Sequence, residues 1–218
     1  MVLLQPLALA TFTAVACAGL VVGEAFAPRA RLFVKPLASL GFVSTALALQ
    51  VHLLPHGGGL LVALIACAIG DLLLLPEKQP AAFVAGMLAF GVGHALFAVV
   101  FFGLGAGWWT LVGAALMAPV PWLVWRRLAQ HLGRLREPVR GYMGIITVMV
   151  ASALGLVLAA PSQRTALLAV AAVLFFVSDL FVARHRFVQR AWVNRAVGLP
   201  LYYGAQLLFA YAFARGAA

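Results

Sequence analysis

The feature that most constrains the fold of this chain is a series of apolar runs separated by short polar connections. A membrane-spanning helix needs about 20 consecutive apolar residues, with a range of about 17 to 25. Charged residues, Pro and Gly bound eight runs that reach or approach that length: Leu3–Val22, Leu32–Leu54, Leu60–Leu75, Ala81–Phe102, Trp108–Trp125, Tyr142–Ala160, Ala166–Ala183 and Ala196–Phe213. The sequence therefore predicts an all-α polytopic membrane protein with eight transmembrane helices in one integral membrane domain, 1–218.

The composition agrees with a membrane protein. Hydrophobic residues make up 65% of the chain and charged residues only 9%, whereas a soluble domain usually has about 25% charged residues. The segment Ala25-Phe26-Ala27 resembles a signal-peptide cleavage site. However, no positive charge precedes the first run, which is long enough to span a bilayer. We therefore interpret it as the first helix.

The basic residues predict the orientation. Of fifteen Lys and Arg residues, all but Arg164 and Arg215 flank the loops after spans one, three, five and seven. The positive-inside rule places those loops in the cytoplasm and both termini outside it. We therefore attribute the net charge of +10 to the orientation in the membrane and to contact with anionic lipids. A nucleic-acid partner is not expected. Abundant Ala and Arg with little Lys favour a bacterial inner membrane.

Several common catalytic patterns are missing from the sequence. Cys17 and Cys67 lie in apolar runs without CxxC spacing, so we interpret them as small core residues. The chain has no HExxH, no nucleophile elbow and no phosphate-binding glycine loop, which disfavours a zinc enzyme or a serine hydrolase. Gly86, Gly91 and Gly93 are better explained as helix-packing contacts.

Asp71 and Asp179 are the only two aspartates, and both fall inside predicted spans. Asp71 lies five residues before Pro76 and Asp179 five residues before Arg184, which places both carboxyls about 7 Å from the cytoplasmic end at ~1.5 Å per residue. An Asp at the centre of a span costs roughly 2.5 to 3.5 kcal/mol on insertion, so a lipid-facing position is disfavoured. Both side chains are expected to point into the bundle.

The spacing around the aspartates indicates an internal duplication. The separation of Asp71 from Asp179, which we call the repeat interval, is close to half the chain. The same interval separates His94 from Tyr202, and it separates Lys35 from Met143, the neighbour of Tyr142. A 4+4 parallel repeat would bring the aspartates face to face near a pseudo-twofold axis along the membrane normal.

Two interpretations of the aspartates remain open. Each could be structural, capping a broken helix or pairing with Lys35 or an Arg. Alternatively, two carboxyls in one cavity would share a single proton near neutral pH and supply a general acid and a general base. Matched depth favours this dyad, because ionisable residues inside a membrane usually have a function.

Other polar residues in the spans each have a structural and a functional interpretation. Lys35 is either an interfacial anchor or a cation for a phosphate headgroup or an aspartate. His94 is either a hydrogen-bonded packing residue or part of the site. Ser178 most simply returns its hydroxyl to the preceding turn, although it could position Asp179.

Three tyrosines and one amide lie near the same membrane face. Tyr142, Tyr202 and Tyr203 could be interfacial belt residues. Tyr202 and Gln206 are four residues apart and share a helix face, and an amide there needs an internal partner.

Taken in order, these residues resemble those of the YhhN-like transmembrane lysoplasmalogenases. The resemblance covers nearly the whole chain and rests on Lys35-Pro36, Gly70-Asp71, Phe83, Gly86, Phe90, His94, Phe97, Tyr142, Ser178-Asp179 and Tyr202-Tyr203-Gly204-Ala205-Gln206. That family has eight helices, as the runs predict here. His185 and Arg186 depart from the resemblance, because they make the exit from span seven more basic than expected.

The resemblance implies hydrolysis of the vinyl ether bond of 1-alkenyl-glycerophosphocholine or -ethanolamine to a fatty aldehyde, without metal or cofactor. It implies that Asp71 and Asp179 are catalytic. The implied substrate-binding residues are Lys35, His94, Tyr142, Ser178, Tyr202, Tyr203 and Gln206. The partners are the lysophospholipid and membrane lipids, and the oligomeric state stays open.

Two alternatives use the same pair of aspartates. An intramembrane aspartyl protease is weakened because Gly70-Asp71 lacks the first glycine of GxGD and because Ser178-Asp179 replaces Tyr-Asp. A proton-coupled transporter would use the aspartates as a proton relay. Aldehyde release, peptide cleavage or substrate accumulation would distinguish the three.

Overall fold

The computed structural model describes residues 4–76 and 79–215, all in helices and their connections. Within them the α-helices are α1 (Leu4–Phe26), α2 (Arg31–Ala48), α3 (Gly57–Leu73), α4 (Pro80–Gly103), α5 (Trp109–Met117), α6 (Pro119–Leu128), α7 (Arg136–Ala159), α8 (Gln163–Ala183) and α9 (Trp192–Ala214). A π-helical turn, Arg184–Val188, extends α8. Leu3, which begins the first predicted span, and Lys78, one of the basic residues used for orientation, lie outside the described residues.

Six helices are long and apolar enough to cross a membrane: α1, α2, α4, α7, α8 and α9. Many large apolar side chains point outward; Leu111, for example, is 73% exposed. A contiguous apolar exterior suits lipid and not water. The chain is therefore an integral membrane protein, as its composition predicts.

The other two predicted spans are occupied by shorter helices. The run Leu60–Leu75 corresponds to α3, which has 17 residues and ends three residues before Pro76, where the proline restricts helical geometry. The run Trp108–Trp125 is divided between α5 and α6, and α6 begins at Pro119, whose missing N–H is tolerated at a helix start.

The helices form a ring. Each helix in the order α1, α2, α3, α4, α7, α8 and α9 contacts the next, and α9 contacts α1. Helix α5 packs on α7. Gly86 and Gly93 allow α4 to approach α3 closely: an added Cβ would lie 2.7 Å from Leu74 and from the Cys67 sulfur, respectively. Their predicted packing role is confirmed, whereas Gly91 has only ordinary van der Waals contacts.

The core of the ring is apolar at one end and polar at the other. Phe97, Phe101 and Phe209 are fully buried, and the rings of Phe97 and Phe209 stack 4.2 Å apart. The functional candidates lie beyond this aromatic layer, toward the end of the bundle where α2 and α9 begin.

Candidate active site

Both aspartates line one cavity of about 200 Å³. Residues of α1, α2, α3, α4, α7, α8 and α9 line the cavity, and they include Lys35, Tyr142 and Tyr202. The sequence prediction that both carboxyls point into the bundle is consistent with this placement. An enclosed space with converging polar groups is the ordinary form of a small-molecule site.

Asp71 lies near the end of α3 and has three donors around it. The Lys35 ammonium is 3.0 Å from Oδ1. The hydroxyls of Ser39 and Tyr202 each donate to Oδ2 at 2.7 Å. An ionised carboxylate only accepts hydrogen bonds, so this set of partners matches Asp71 as an anion.

Asp179, on α8, has fewer partners and more contact with the cavity. The Tyr142 hydroxyl donates to Oδ2 at 2.5 Å. The His94 Nε2 atom is 3.3 Å from the same oxygen and 2.9 Å from the Tyr142 hydroxyl. The Asp179 side chain is 18% exposed against 3% for Asp71. Both contacts end on Oδ2, and among the described residues no hydrogen bond to Oδ1 is formed.

An aromatic wall joins the two carboxyl groups. The Tyr202 ring lies 5.8 Å from Phe90 and 5.2 Å from Phe175, and His94 lies 4.5 Å from Phe175 by ring centroids. These edge-to-face contacts stabilise buried rings in fixed orientations. Phe90 and Tyr202 also line the cavity and give it an aromatic wall beside its two acids, which suits a substrate with a hydrocarbon chain.

Three predicted site residues do not contact the aspartates. The Ser178 hydroxyl donates to the Gly198 carbonyl on α9 at 2.9 Å, and not to the preceding turn of its own helix as expected. Tyr203 and Gln206 are buried outside the cavity lining, and their polar side-chain atoms have no hydrogen-bond partner among the described residues. Lys35, His94, Tyr142 and Tyr202 are brought to the carboxyls.

Sequence reasoning missed Ser39, although a signal was present. Ser39 follows Lys35 by four residues, so the two share a helix face. A hydroxyl one turn from the cation that pairs with Asp71 is placed to reach the same carboxyl. Because serine is common in helices of membrane proteins, its identity alone did not indicate this role.

The candidate site does not have the composition of a metal centre. Over residues 4–76 and 79–215, no three His, Cys, Asp or Glu side chains converge as ligands. Cys17 and Cys67 are buried and form no disulfide, which agrees with their interpretation as core residues.

Comparison with known proteins agrees with the resemblance. The profile of the YhhN family matches residues 30–213. Lysoplasmalogenase TMEM86A of Bos taurus is 36% identical over 180 residues, covering 74% of this chain and 72% of that protein. Lysoplasmalogenase TMEM86A of Homo sapiens is 33% identical over 195 residues, covering 80% of each. No solved structure matches the chain significantly.

Proposed function

This chain belongs to the YhhN family, and from that premise we propose that it is a membrane-embedded lysoplasmalogenase. Its substrates would be 1-alkenyl-glycerophosphocholine or -ethanolamine, and its products a fatty aldehyde and the glycerophospho-base. The observation that carries the chemistry is the pair of carboxyls lining one cavity, one among three donors and one more exposed.

In the proposed first step, Asp179 is the general acid. It transfers its proton from Oδ1 to the β-carbon of the vinyl ether, which leaves an oxocarbenium ion on the ether side. Tyr142 and His94 hold Oδ2 and so fix the orientation of the carboxyl. The transition state resembles that of glycoside hydrolysis, in which two carboxyls also divide the acid and base roles.

In the second step, Asp71 acts as the carboxylate. It stabilises the oxocarbenium ion and accepts a proton from the water that adds to the α-carbon, which forms a hemiacetal. Collapse of the hemiacetal breaks its bond to the glycerol oxygen. That oxygen takes the proton from Asp71, and the hemiacetal hydroxyl returns one to Asp179. Both aspartates regain their starting states, and one water is consumed for each aldehyde released.

We further propose that the chain crosses the membrane eight times, with α3 as the third crossing and α5 with α6 as the fifth. Both termini would be non-cytoplasmic, and the cavity would open to the cytoplasmic leaflet of a bacterial inner membrane. The arginines at the mouth of the cavity support this orientation. A single-chain amphiphile could then keep its head wet while its tail enters the bundle.

The helix neighbours support a 4+4 parallel repeat. The pairs α1–α2, α2–α3 and α3–α4 have counterparts in α5–α7, α7–α8 and α8–α9. The contact of α2 with α9 is likewise matched by that of α7 with α4. In these pairs each of the first four proposed crossings corresponds to the crossing four positions later in the chain, as a duplicated four-helix unit requires.

Side-chain contacts support the same repeat. Tyr202 contacts Asp71, and His94, at the equivalent position one repeat interval earlier, contacts Asp179. The partner on the preceding crossing is Lys35 for Asp71 and Tyr142 for Asp179. The separation of Lys35 from Tyr142 is one residue shorter than the repeat interval. The proposed repeat thus accounts for how the two carboxyls are surrounded.

The test of the proposed function is aldehyde release by the purified, folded protein in detergent. We expect release from 1-alkenyl lysophospholipids and none from the saturated 1-alkyl analogues, which cannot form the oxocarbenium ion by protonation. The variants Asp71→Asn and Asp179→Asn should both lose activity. Near-full activity in both would contradict the dyad mechanism, and no release by the wild-type protein would contradict the function.

The same preparation separates the two alternatives. Cleavage of a membrane-protein substrate without aldehyde release would indicate a protease. Accumulation of a solute in proteoliposomes that follows an imposed pH gradient would indicate a transporter.

A further inference from the structure

The lining of the cavity has a polar flank and an apolar flank. Helices α1, α2 and α9 form the polar flank, whose charged and amide side chains are those of Glu24, Arg31, Lys35, Asn194 and Arg195. Among the described residues, the contribution of α4 and α7 consists of Phe83, Met87, Phe90, Val139 and Tyr142. None of these five is charged, and we call Phe83, Met87, Phe90 and Val139 the apolar flank.

The two aspartates have their partners on different flanks. Asp71 is held by side chains of α2 and α9, which contact each other. Asp179 is held by side chains of α7 and α4, which also contact each other. A ligand that lies across both carboxyls therefore meets polar groups on the Asp71 side and apolar groups on the Asp179 side.

The apolar flank is part of a second hydrophobic cluster, separate from the main core. Met87 and Val139 are only 7% and 6% exposed, and they pack with two buried leucines from the end of α6 and the turn after it. Phe83 packs against this cluster, and its ring meets that of Phe187 edge to face at 5.6 Å. Phe187 also lines the cavity. Side chains fixed in this way lose little freedom when a ligand binds.

We propose that the alkenyl chain of the lysophospholipid lies along the apolar flank, where Met87 and Val139 contact the carbons next to the vinyl ether. This inference rests on the proposed function, because it fixes how the proposed substrate lies in the cavity. A hydrocarbon chain gains free energy when it leaves water for an apolar surface. Against the polar flank it would instead cover charged and amide groups without replacing their hydrogen bonds with water.

This orientation agrees with the proposed roles of the two acids. In a vinyl ether the β-carbon lies on the chain side of the double bond, and the oxygen lies on the glycerol side. A chain on the apolar flank directs the β-carbon toward Asp179 and the glycerol toward Asp71. The opposite orientation would bring the glycerol to Asp179 and separate the proposed acid from the carbon that it protonates.

The size of the cavity limits how much of the chain is recognised. Its volume is about 200 Å³, whereas sites that enclose drug-sized ligands measure about 300 to 1,000 Å³. Only the carbons next to the ether can then contact the apolar flank, and the rest of the chain extends out of the cavity. Specificity is therefore expected for bulk close to the ether bond.

The first experiment locates the chain in the wild-type protein. A 1-alkyl-glycerophosphocholine with a diazirine on the third carbon of its chain cannot be hydrolysed as a vinyl ether, and it labels neighbouring residues on irradiation. We expect the labelled peptides to come mainly from α4 and α7 and to disappear when unlabelled 1-alkyl-glycerophosphocholine competes. Labelling mainly on α1, α2 or α9 would overturn the proposal.

The second experiment enlarges the apolar flank. Met87→Ala and Val139→Ala each remove apolar atoms from it, so each should accept a methyl branch on the third carbon of the alkyl chain. We expect the ratio of Kd values, branched over straight, to fall about 5-fold from its wild-type value, the effect of one buried methyl group. Both ligands are measured at one detergent concentration, so their partition into micelles cancels between variants.

The matched control is Met117→Ala. Met117 lies on α5, is 9% exposed and does not line the cavity, so the same atoms are removed at similar burial. Leu199→Ala shortens an apolar side chain that lines the cavity from α9. Neither change should alter the ratio. An equal fall in either control, or an unchanged ratio in both Met87→Ala and Val139→Ala, would overturn the proposal.

These experiments separate the orientation of the chain from the reaction. Because they use alkyl ethers, the labelling and the Kd ratios do not depend on hydrolysis. The expected labelling without aldehyde release from alkenyl lipids would refute the proposed reaction and leave the chain on the apolar flank. Aldehyde release with labelling on the polar flank would support the reaction and refute the orientation.

Discussion

The surroundings of Asp71 and Asp179 follow one plan with different residues. Each carboxyl has one partner from the preceding crossing and one from a helix of the other half of the chain. At Asp71 these are Lys35 and Tyr202, with Ser39 as a third donor. At Asp179 they are Tyr142 and His94, and neither of these two is a lysine or an arginine.

The difference between these two sets of partners shows how one arrangement of helices can give two aspartates different chemical roles. A lysine and two hydroxyls around a carboxyl only 2% exposed suit a group that begins the reaction as a carboxylate. A tyrosine and a histidine around a more exposed carboxyl suit a group that gives and takes a proton, because the histidine can be donor or acceptor. Under our proposal, the contrast assigns Asp71 as the carboxylate and Asp179 as the acid.

The largest effect on the proposed difference in role between Asp71 and Asp179 is expected from Asp179→Asn. An amide cannot supply the proton, so we expect kcat for aldehyde release to fall about 10³-fold, within the usual contribution of general acid catalysis. The melting temperature in detergent should stay within a few degrees of the wild-type value. The partners of this side chain are Tyr142 and His94, so the change leaves no lysine or arginine without its carboxylate. A large loss of stability would show that Asp179 is structural.

The matched carboxyl control is Glu137→Gln. Glu137 lies in the first turn of α7, is exposed and pairs with Arg140. Its change should leave both activity and melting temperature close to wild type.

Asp71→Asn should differ by destabilising the fold. It leaves the mostly buried Lys35 ammonium without its carboxylate, and breaking such a pair costs about 2 to 4 kcal/mol of unfolding free energy. Adding Lys35→Met should restore much of that stability without restoring activity. The double-mutant cycle is measured by thermal unfolding in detergent. Additive losses in the cycle would mean that the ion pair is not the source of the effect.

A smaller effect is expected from the two tyrosines that contact the carboxyls. Tyr142→Phe removes one of two partners of Asp179, so we expect kcat to fall about 10-fold, or about 1.4 kcal/mol. Tyr202→Phe removes one of three partners of Asp71 and should lower kcat only about 3-fold. Equal losses, or the reverse order, measured under saturating substrate would contradict the assigned roles.

A similarly small effect is expected at Ser39, whose equivalent one repeat interval later is Thr147. Both hydroxyls bond the carbonyl four residues earlier, but only Ser39 also donates to an aspartate. Ser39→Ala should lower kcat about 3-fold, whereas Thr147→Val should have no measurable effect. A loss of activity in Thr147→Val would show that the effect comes from the helix and not from the carboxyl.

Much of the fold follows from hydropathy alone. The apolar runs predict eight spanning helices, because each residue in lipid must satisfy its own backbone within a helix. Six of the described helices are long and apolar enough to span. The division of Trp108–Trp125 at Pro119 was not predicted, although Pro119 and Pro121 gave a signal. A hydropathy window averages over the prolines and so does not register a change of helix.

The candidate site was predicted in outline by the repeat interval. That interval associated His94 and Tyr202 with the aspartates, and both contact a carboxyl. It could not tell which aspartate each would reach, because that depends on how the halves pack. Tyr203 and Gln206 share the helix of Tyr202 but have no bond to a carboxyl, since neighbouring positions on a helix point in different directions.

The crossed partners have a consequence for the origin of such a chain. Tyr202 contacts the aspartate of the first half and His94 that of the second, so neither half alone surrounds its own carboxyl. Under the proposed repeat, a four-helix ancestor would have built this arrangement only as a homodimer, with two identical acids and no difference in role between them. Fusion of the two copies would free each copy to mutate separately, so that one acid could acquire a lysine and the other a histidine.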